Sequence, residues 1–276
     1  MYLIALILML HALPESLPSS RSGTIVALDF SNERLIIATD SRVTDDDGHI
    51  NDCECKIHII GTGMVFAASG IQRQVDNSTH KTTFDAVHIA AEVRRSNSTA
   101  SVEKVATLWA SKVKSAIGEL GERNRKAILG RLINDQFVVS GIFIGAESDG
   151  HIAAYNSEIR YDLIGETIVL TNVVGPIKHG VSTFFHDGEF AQELFASKTK
   201  RAHDEAIRLS NRLNAKHIAD PSPYFLVAGV EAAIKWKTDE LIGGDVDALI
   251  VHKNGKIKWF KKKKNCDRAI RQQPNR

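Results

Sequence analysis

The stretch from Gly23 to Gly70 limits the possible folds more than any other, because it alternates short apolar runs with single marks at even intervals. Thr24 follows a glycine and opens the run Thr24-Ile-Val-Ala-Leu-Asp-Phe30. Asp40 stands sixteen residues later, in Thr39-Asp-Ser-Arg42, and Lys56 sixteen after that, heading Lys56-Ile-His-Ile-Ile60. Gly70 comes fourteen further on and closes Met64-Val-Phe-Ala-Ala-Ser-Gly70. The runs at 26–30 and 35–39 flank the polar turn Ser31-Asn-Glu-Arg34, and those at 56–60 and 64–68 flank Gly61-Thr-Gly63. Each pair reads as a β-hairpin. Near-continuous apolar strands imply a sheet covered on both faces. An acid and a lysine inside it must find each other, because an unpaired buried charge is costly.

Helical spacing follows. Phe84, Val87, Ala90, Ala91 and Val93 repeat at one period, and Val105, Leu108, Trp109, Val113, Ile117 and Leu120 mark a second, longer helix after Ser101 that residues 124–134 could extend. Strands return at 135–145 and 151–155, joined by the turn Glu147-Ser-Asp-Gly150, and at 166–171. Helical patterning resumes at about 188–213 and again at 224–241, after Pro221-Ser-Pro223. The last strands, 243–252 and 256–260, enclose Lys253-Asn-Gly255. This order predicts an α+β fold, with two sheets face to face and helices outside: a four-layer αββα sandwich.

The chain has 276 residues, 43% of them hydrophobic, enough for one domain at 24–260 with tails at 1–23 and 261–276. The last sixteen residues carry seven Lys/Arg and one Asp, so the net charge of +2 combines a basic end with a mildly acidic body. Lys261-Lys-Lys-Lys264 reads as the start of a solvated, disordered tail. Without interleaved aromatics it gives no support for nucleic-acid binding. The apolar run 1–13 has the length of a signal-peptide core but lacks a preceding Lys or Arg and an obvious cleavage site. It reads as either a signal peptide, with export or a periplasmic location, or a propeptide of a cytoplasmic protein. Asn77-Ser-Thr79 and Asn97-Ser-Thr99 fit the glycosylation sequon, relevant only in a eukaryotic secretory pathway. Cys53 and Cys55 are two apart on an expected strand; with His49 and His58 they could form a metal site, and the plainer expectation is buried thiols beside Lys56.

The marks at Thr24, Asp40-Ser-Arg42, Lys56 and Gly70 resemble the start of a mature proteasome β subunit, an N-terminal-nucleophile (Ntn) hydrolase. The likeness runs ungapped from Thr24 to Gly70, and by element order alone to Phe260. It implies the same αββα architecture, with an active site between the sheets at one end. It also implies roles. Thr24 is the nucleophile, freed when Gly23–Thr24 is cut, with its new α-amine as base; a free amine titrates near neutral pH, as that task requires. Lys56 tunes the amine and hydroxyl, Asp40 holds Lys56, and the Gly70 N–H donates to the oxyanion. Asp239-Glu-Leu-Ile-Gly-Gly244 resembles the family's Asp-x-x-Ser-Gly-Gly, which assigns Asp239 to support of the amine. The family's serine there is Ile242 in this chain, and Val173-Val-Gly-Pro-Ile-Lys178 lacks the family's Ser-Gly-Ser. The same register assigns the specificity pocket to Val43, Glu54, His58, Ala68, Gln72 and Asp76, with Glu54 and Asp76 favouring a basic side chain before the scissile bond.

Plainer readings remain for each mark. Asp40 could pair structurally with Arg42 or Lys56, Lys56 could be an exposed strand-end lysine, and Gly70 could simply end a strand. Ser22 could be the nucleophile in a register with a longer first hairpin. For the whole chain, the resemblance implies a threonine peptidase acting on peptides or unfolded proteins, without metal or cofactor, assembled as a homo-oligomeric ring. The alternatives are an inactive proteasome-like subunit or scaffold, and an amidase on a small molecule or cell-wall peptide.

Overall fold

The structure is a computed structural model describing residues 24–44, 50–75, 81–123, 137–164, 167–184, 218–235 and 242–263, with helical pieces within 204–212. In chain order the strands are β1 (Val26–Phe30), β2 (Arg34–Thr39), β3 (Val43–Thr44), β4 (Ile50–Asn51), β5 (Ile57–Ile59), β6 (Met64–Gly70), β7 (Arg73–Val75) and β8 (Thr82–Asp85). Helices α1 (Ala86–Ser96) and α2 (Val102–Arg123) follow. Then come β9 (Phe137–Ala146), β10 (Ile152–Ile164), β11 (Thr167–Pro176), β12 (Gly180–Phe184), α3 (Ser222–Lys235), β13 (Asp247–His252) and β14 (Ile257–Lys261). The chain is thus α+β, with antiparallel sheets.

Two five-stranded sheets carry the fold. The first has the order β12-β1-β2-β13-β14 and the second β11-β10-β9-β6-β5. The hairpins expected at Ser31–Arg34, Gly61–Gly63, Glu147–Gly150 and Lys253–Gly255 all form, joining β1 to β2, β5 to β6, β9 to β10 and β13 to β14.

Strand alternation sorts the apolar side chains into three clusters. Val26, Leu28, Leu35, Ile37, Leu249 and Val251 of the first sheet meet Ile57, Val65, Ala67, Ile142 and Ile144 of the second. Their neighbours Ile25, Ala27, Ile36, Ala38, Ala248 and Ile250 point the other way, onto Leu226, Val230 and Ala233 of α3. On the far side of the second sheet, Met64, Phe66, Ala68 and Phe143 pack under α1 and α2. This accounts for the continuous apolar runs of β1 and β2, since both faces are covered.

Local chemistry sets the helix starts. Asp85 caps α1, its carboxylate accepting from the His88 N–H at 2.8 Å. Ser101 caps α2 through the Lys104 N–H, and Glu147 from the β9–β10 turn accepts the Val102 N–H. Arg34 of β2 makes a two-pronged pair with Asp220, tying the start of α3 to the first sheet.

Several expectations are corrected. The strand expected at 166–171 runs on to Pro176 as β11, and β12 was not foreseen. Cys53 and Cys55 do not share a strand face. Cys53 is an exposed free thiol in a turn, whereas Cys55 is buried and disulfide-bonded, so it is no buried thiol and not a metal ligand. Lys261, Lys262 and Lys263 belong to the folded body: Lys261 pairs with Glu231, Lys262 lies over Trp259, and Lys263 binds Asp247. The rest of the tail, the segment 1–23, and the patterned stretches 124–134 and 236–241 lie outside the described residues.

Candidate active site

Three of the four sequence marks meet at one end of the first sheet. Antiparallel pairing of β1 with β2 places Val26 opposite Thr39, so the residues just beyond, Ile25 and Asp40, also face each other. The Ile25 N–H accordingly donates to Asp40 Oδ1 at 3.1 Å. Lys56, entering β5 in the second sheet, reaches across and donates from Nζ to Asp40 Oδ1 at 2.8 Å and to Thr24 Oγ1 at 2.9 Å. Thr24, Asp40 and Lys56 are all buried, the last two completely.

Asp40 is the hub. Its second oxygen accepts from the Arg42 N–H and the Gly243 N–H, both at 3.2 Å. Four donors therefore surround one carboxylate, enough to hold an ion away from water. Asp40 does pair with Lys56, but Arg42 turns its guanidinium instead to Asp52, at 2.6 and 2.8 Å. Burial pushes the Lys56 ammonium below the usual lysine range. The Asp40 carboxylate opposes that shift, as does Glu54, and the Lys263 ammonium adds to it.

The matched glycines have steric reasons. A Cβ on Gly243 would run into the Arg42 guanidinium. Gly244, at φ +71°, packs directly on Ser41 Oγ and the Asp52 carbonyl. Ser41 Oγ donates to that carbonyl at 2.6 Å. Gly70 ends β6 at φ +81°, and a Cβ there would lie 2.5 Å from the Val138 carbonyl oxygen. It serves as a strand end in the second sheet, beside β9. Ile242, which stands where the family has serine, is buried with Ile25 and Val246 in the cluster under α3.

The expected pocket residues divide. Ala68 is buried on β6 and Val43 half-buried on β3. Gln72 folds back, donating from Nε2 to the Ala68 carbonyl at 2.8 Å. Glu54 is half-buried, within 3.3 Å of Asn51 Nδ2. His58 is buried, and desolvation pushes its pKa down to about 4 although Asp85 and the Cys55 backbone favour the proton. It is therefore a neutral, packed imidazole near pH 7. Gly23, Asp76, Asp239 and the rival Ser22 lie outside the described residues.

Sequence reasoning missed four participants: the Ile25 N–H, the Gly243 N–H, Asp52 and Lys263. The glycine pair was visible as a motif, but its use as a backbone donor to Asp40 was not. Lys263 sits in a run of four lysines that gives no sign which one is buried. No protein-family model matches this chain, and no curated protein is significantly similar to it.

Proposed function

We propose that this protein is a self-processing N-terminal-threonine hydrolase that cleaves amide bonds, with Thr24 as nucleophile. The observation that carries the reading is the buried chain Thr24 Oγ1, Lys56 Nζ, Asp40 Oδ1, linked at 2.9 and 2.8 Å. Packing alone gives no reason for it, because apolar residues of similar volume would fill the space at least as stably. A hydroxyl held against an ammonium is what an activated threonine needs.

In the mature chain Thr24 would be the first residue. Its α-amine takes the hydroxyl proton as Oγ1 attacks the scissile carbonyl carbon. By the same resemblance the tetrahedral oxyanion is assigned to the Gly70 N–H, an interaction of about 2.7–4 kcal/mol. The amine then gives its proton to the departing nitrogen, leaving an ester on Thr24. Water, deprotonated by the same amine, attacks the ester and releases the acid. Lys56 stays charged through the cycle and stabilises the developing alkoxide. Processing is the same attack directed at the Gly23 carbonyl.

The finer architecture belongs to this reading. Three clusters of core residues, two between sheet and helix and one between sheets, support a four-layer αββα sandwich of the Ntn type. A ring of like subunits, peptide or unfolded-protein substrates, and a preference for a basic residue at the half-buried Glu54 follow by analogy. Export follows if residues 1–13 act as a signal peptide.

Ile242 favours a second reading, a proteasome-like scaffold without activity, because an isoleucine stands where a supporting hydroxyl is needed. Hydrolysis of amide-linked fluorogenic peptides separates the two. Lys56→Met should lower turnover about 10²–10⁴-fold and Thr24→Ala should abolish it. Equal hydrolysis by all three proteins would remove the enzyme reading. Equal cutting after basic and apolar residues would remove the Glu54 preference.

A further inference from the structure

Lys263 has no reason to be buried if it belongs to a solvated basic tail, yet its side chain is only 10% exposed. The chain leaves β14 at Lys261 and runs on beside the start of β13. There the Lys263 N–H donates to Asp247 Oδ1 at 3.0 Å, and Nζ approaches Asp247 Oδ2 at 3.0 Å. The same ammonium donates to the Glu54 carbonyl at 2.7 Å. Asp247 pairs with Thr39, the residue before Asp40, and Glu54 lies two residues before Lys56. One side chain therefore bridges the start of β13, beside the strand end that carries Asp40, and the segment that carries Lys56.

We propose that Lys263 is a positioning residue of the Thr24 site: held by Asp247, its ammonium clamps the Glu54 carbonyl and fixes the segment that presents Lys56 to Thr24. This deepens the hydrolase reading and rests on it for its functional meaning. Two effects follow. The clamp sets the Lys56 backbone, so that Nζ meets both Thr24 Oγ1 and Asp40 Oδ1 without an ordering cost during reaction. The second positive charge also acts on Lys56 in the same direction as burial. Among the described residues, the groups that face Lys56 include Asp40 after β2, Thr24 before β1, Glu54 before β5 and Lys263 after β14. Two of them raise its proton affinity, and Lys263 opposes them.

The test uses the full chain and two charge-removing variants, Lys263→Met and Lys263→Gln. The glutamine amide can still donate to the Glu54 carbonyl, so it serves if the methionine variant does not fold. Lys263→Arg keeps the charge. Titration of the Lys56 ammonium by NMR is read first, since it requires no catalysis. Both neutral variants should titrate Lys56 at higher pH than the wild type, and the arginine variant should match the wild type. Turnover should then fall about tenfold or more through kcat rather than KM, with the alkaline limb of the rate profile moved upward. An unmoved Lys56 titration in the neutral variants would overturn the proposal, whatever the turnover. A titration moved in the neutral variants, beside a wild-type protein that shows no Thr24-dependent cleavage, would keep the Lys263–Lys56 coupling and discard the hydrolase.

Discussion

Asp40 concentrates the risk of this structure in one side chain. Its carboxylate offsets the charge of buried Lys56 and accepts three backbone N–H groups as well. Replacing it by asparagine keeps the shape and leaves the ammonium without its counter-ion, a change worth about 3–5 kcal/mol. Denaturant unfolding of Asp40→Asn should show that loss; a loss below about 1 kcal/mol would mean that the pair is effectively solvated. His58 gives a second test. Its folded pKa of about 4 lies below the ordinary 6.5. Between those values the unfolded chain binds a proton that the folded chain does not. Stability therefore rises with pH across that window and is lost as pH falls from 6.5 towards 4. The loss amounts to about 3 kcal/mol. His58→Gln should flatten this slope, as read from unfolding midpoints at several pH values; an unchanged slope would place the acid sensitivity elsewhere. At this scale the sequence required Asp40 and Lys56 to pair, because an unpaired buried charge is costly, and the resemblance added Thr24. The sequence hid the Gly243 N–H and Lys263, which reach the site from some two hundred residues away.

Among the elements, α2 was the most legible. Val105, Trp109, Val113, Ile117 and Leu120 repeat at helical spacing, and all are buried. Trp109 locks the arrangement. Its indole N–H donates to the Ala86 carbonyl of α1 at 2.9 Å, and its ring packs 5.5 Å from both Phe66 and Phe143. Gly141 of β9 leaves room for it, since a Cβ there would meet Phe66 at 2.6 Å and Trp109 at 3.0 Å. Trp109→Ala should therefore cost about 3–5 kcal/mol, and Gly141→Ala about 1–3 kcal/mol through overpacking. Calorimetric melting of both variants checks this; a neutral Gly141→Ala would mean that β9 can move away from the helix. The ends of β10 and β11 were harder to read. From Asn156 to Asp162 only Ile159 and Tyr161 interrupt polar residues, and β11 forms an edge with Val173 exposed, so no continuous apolar run marks their length. Strand β12 is short and borders β1 at the other sheet's edge, where a sequence pattern is equally weak.

For the whole molecule, the order of elements was readable and the sheet assignment was not. Hairpins are local, so β1 with β2, β5 with β6 and β13 with β14 followed from turn chemistry. The insertion of β13 beside β2 joins the chain's two ends in one sheet, and no local signal announces it. That insertion brings Gly243 to Asp40 and Asp247 to Thr39, so the site exists only once the long-range pairing has formed. Self-processing should accordingly require the complete fold, with the unprocessed chain accumulating in any variant that prevents β13 from docking.

The decisive measurement is the intact mass and N-terminal sequence of the purified protein, set beside a Thr24→Ala variant shown to be folded. The account predicts a wild-type chain that begins at Thr24 and a variant left uncut at that bond. A wild type that begins elsewhere, or identical processing in both proteins, would contradict it.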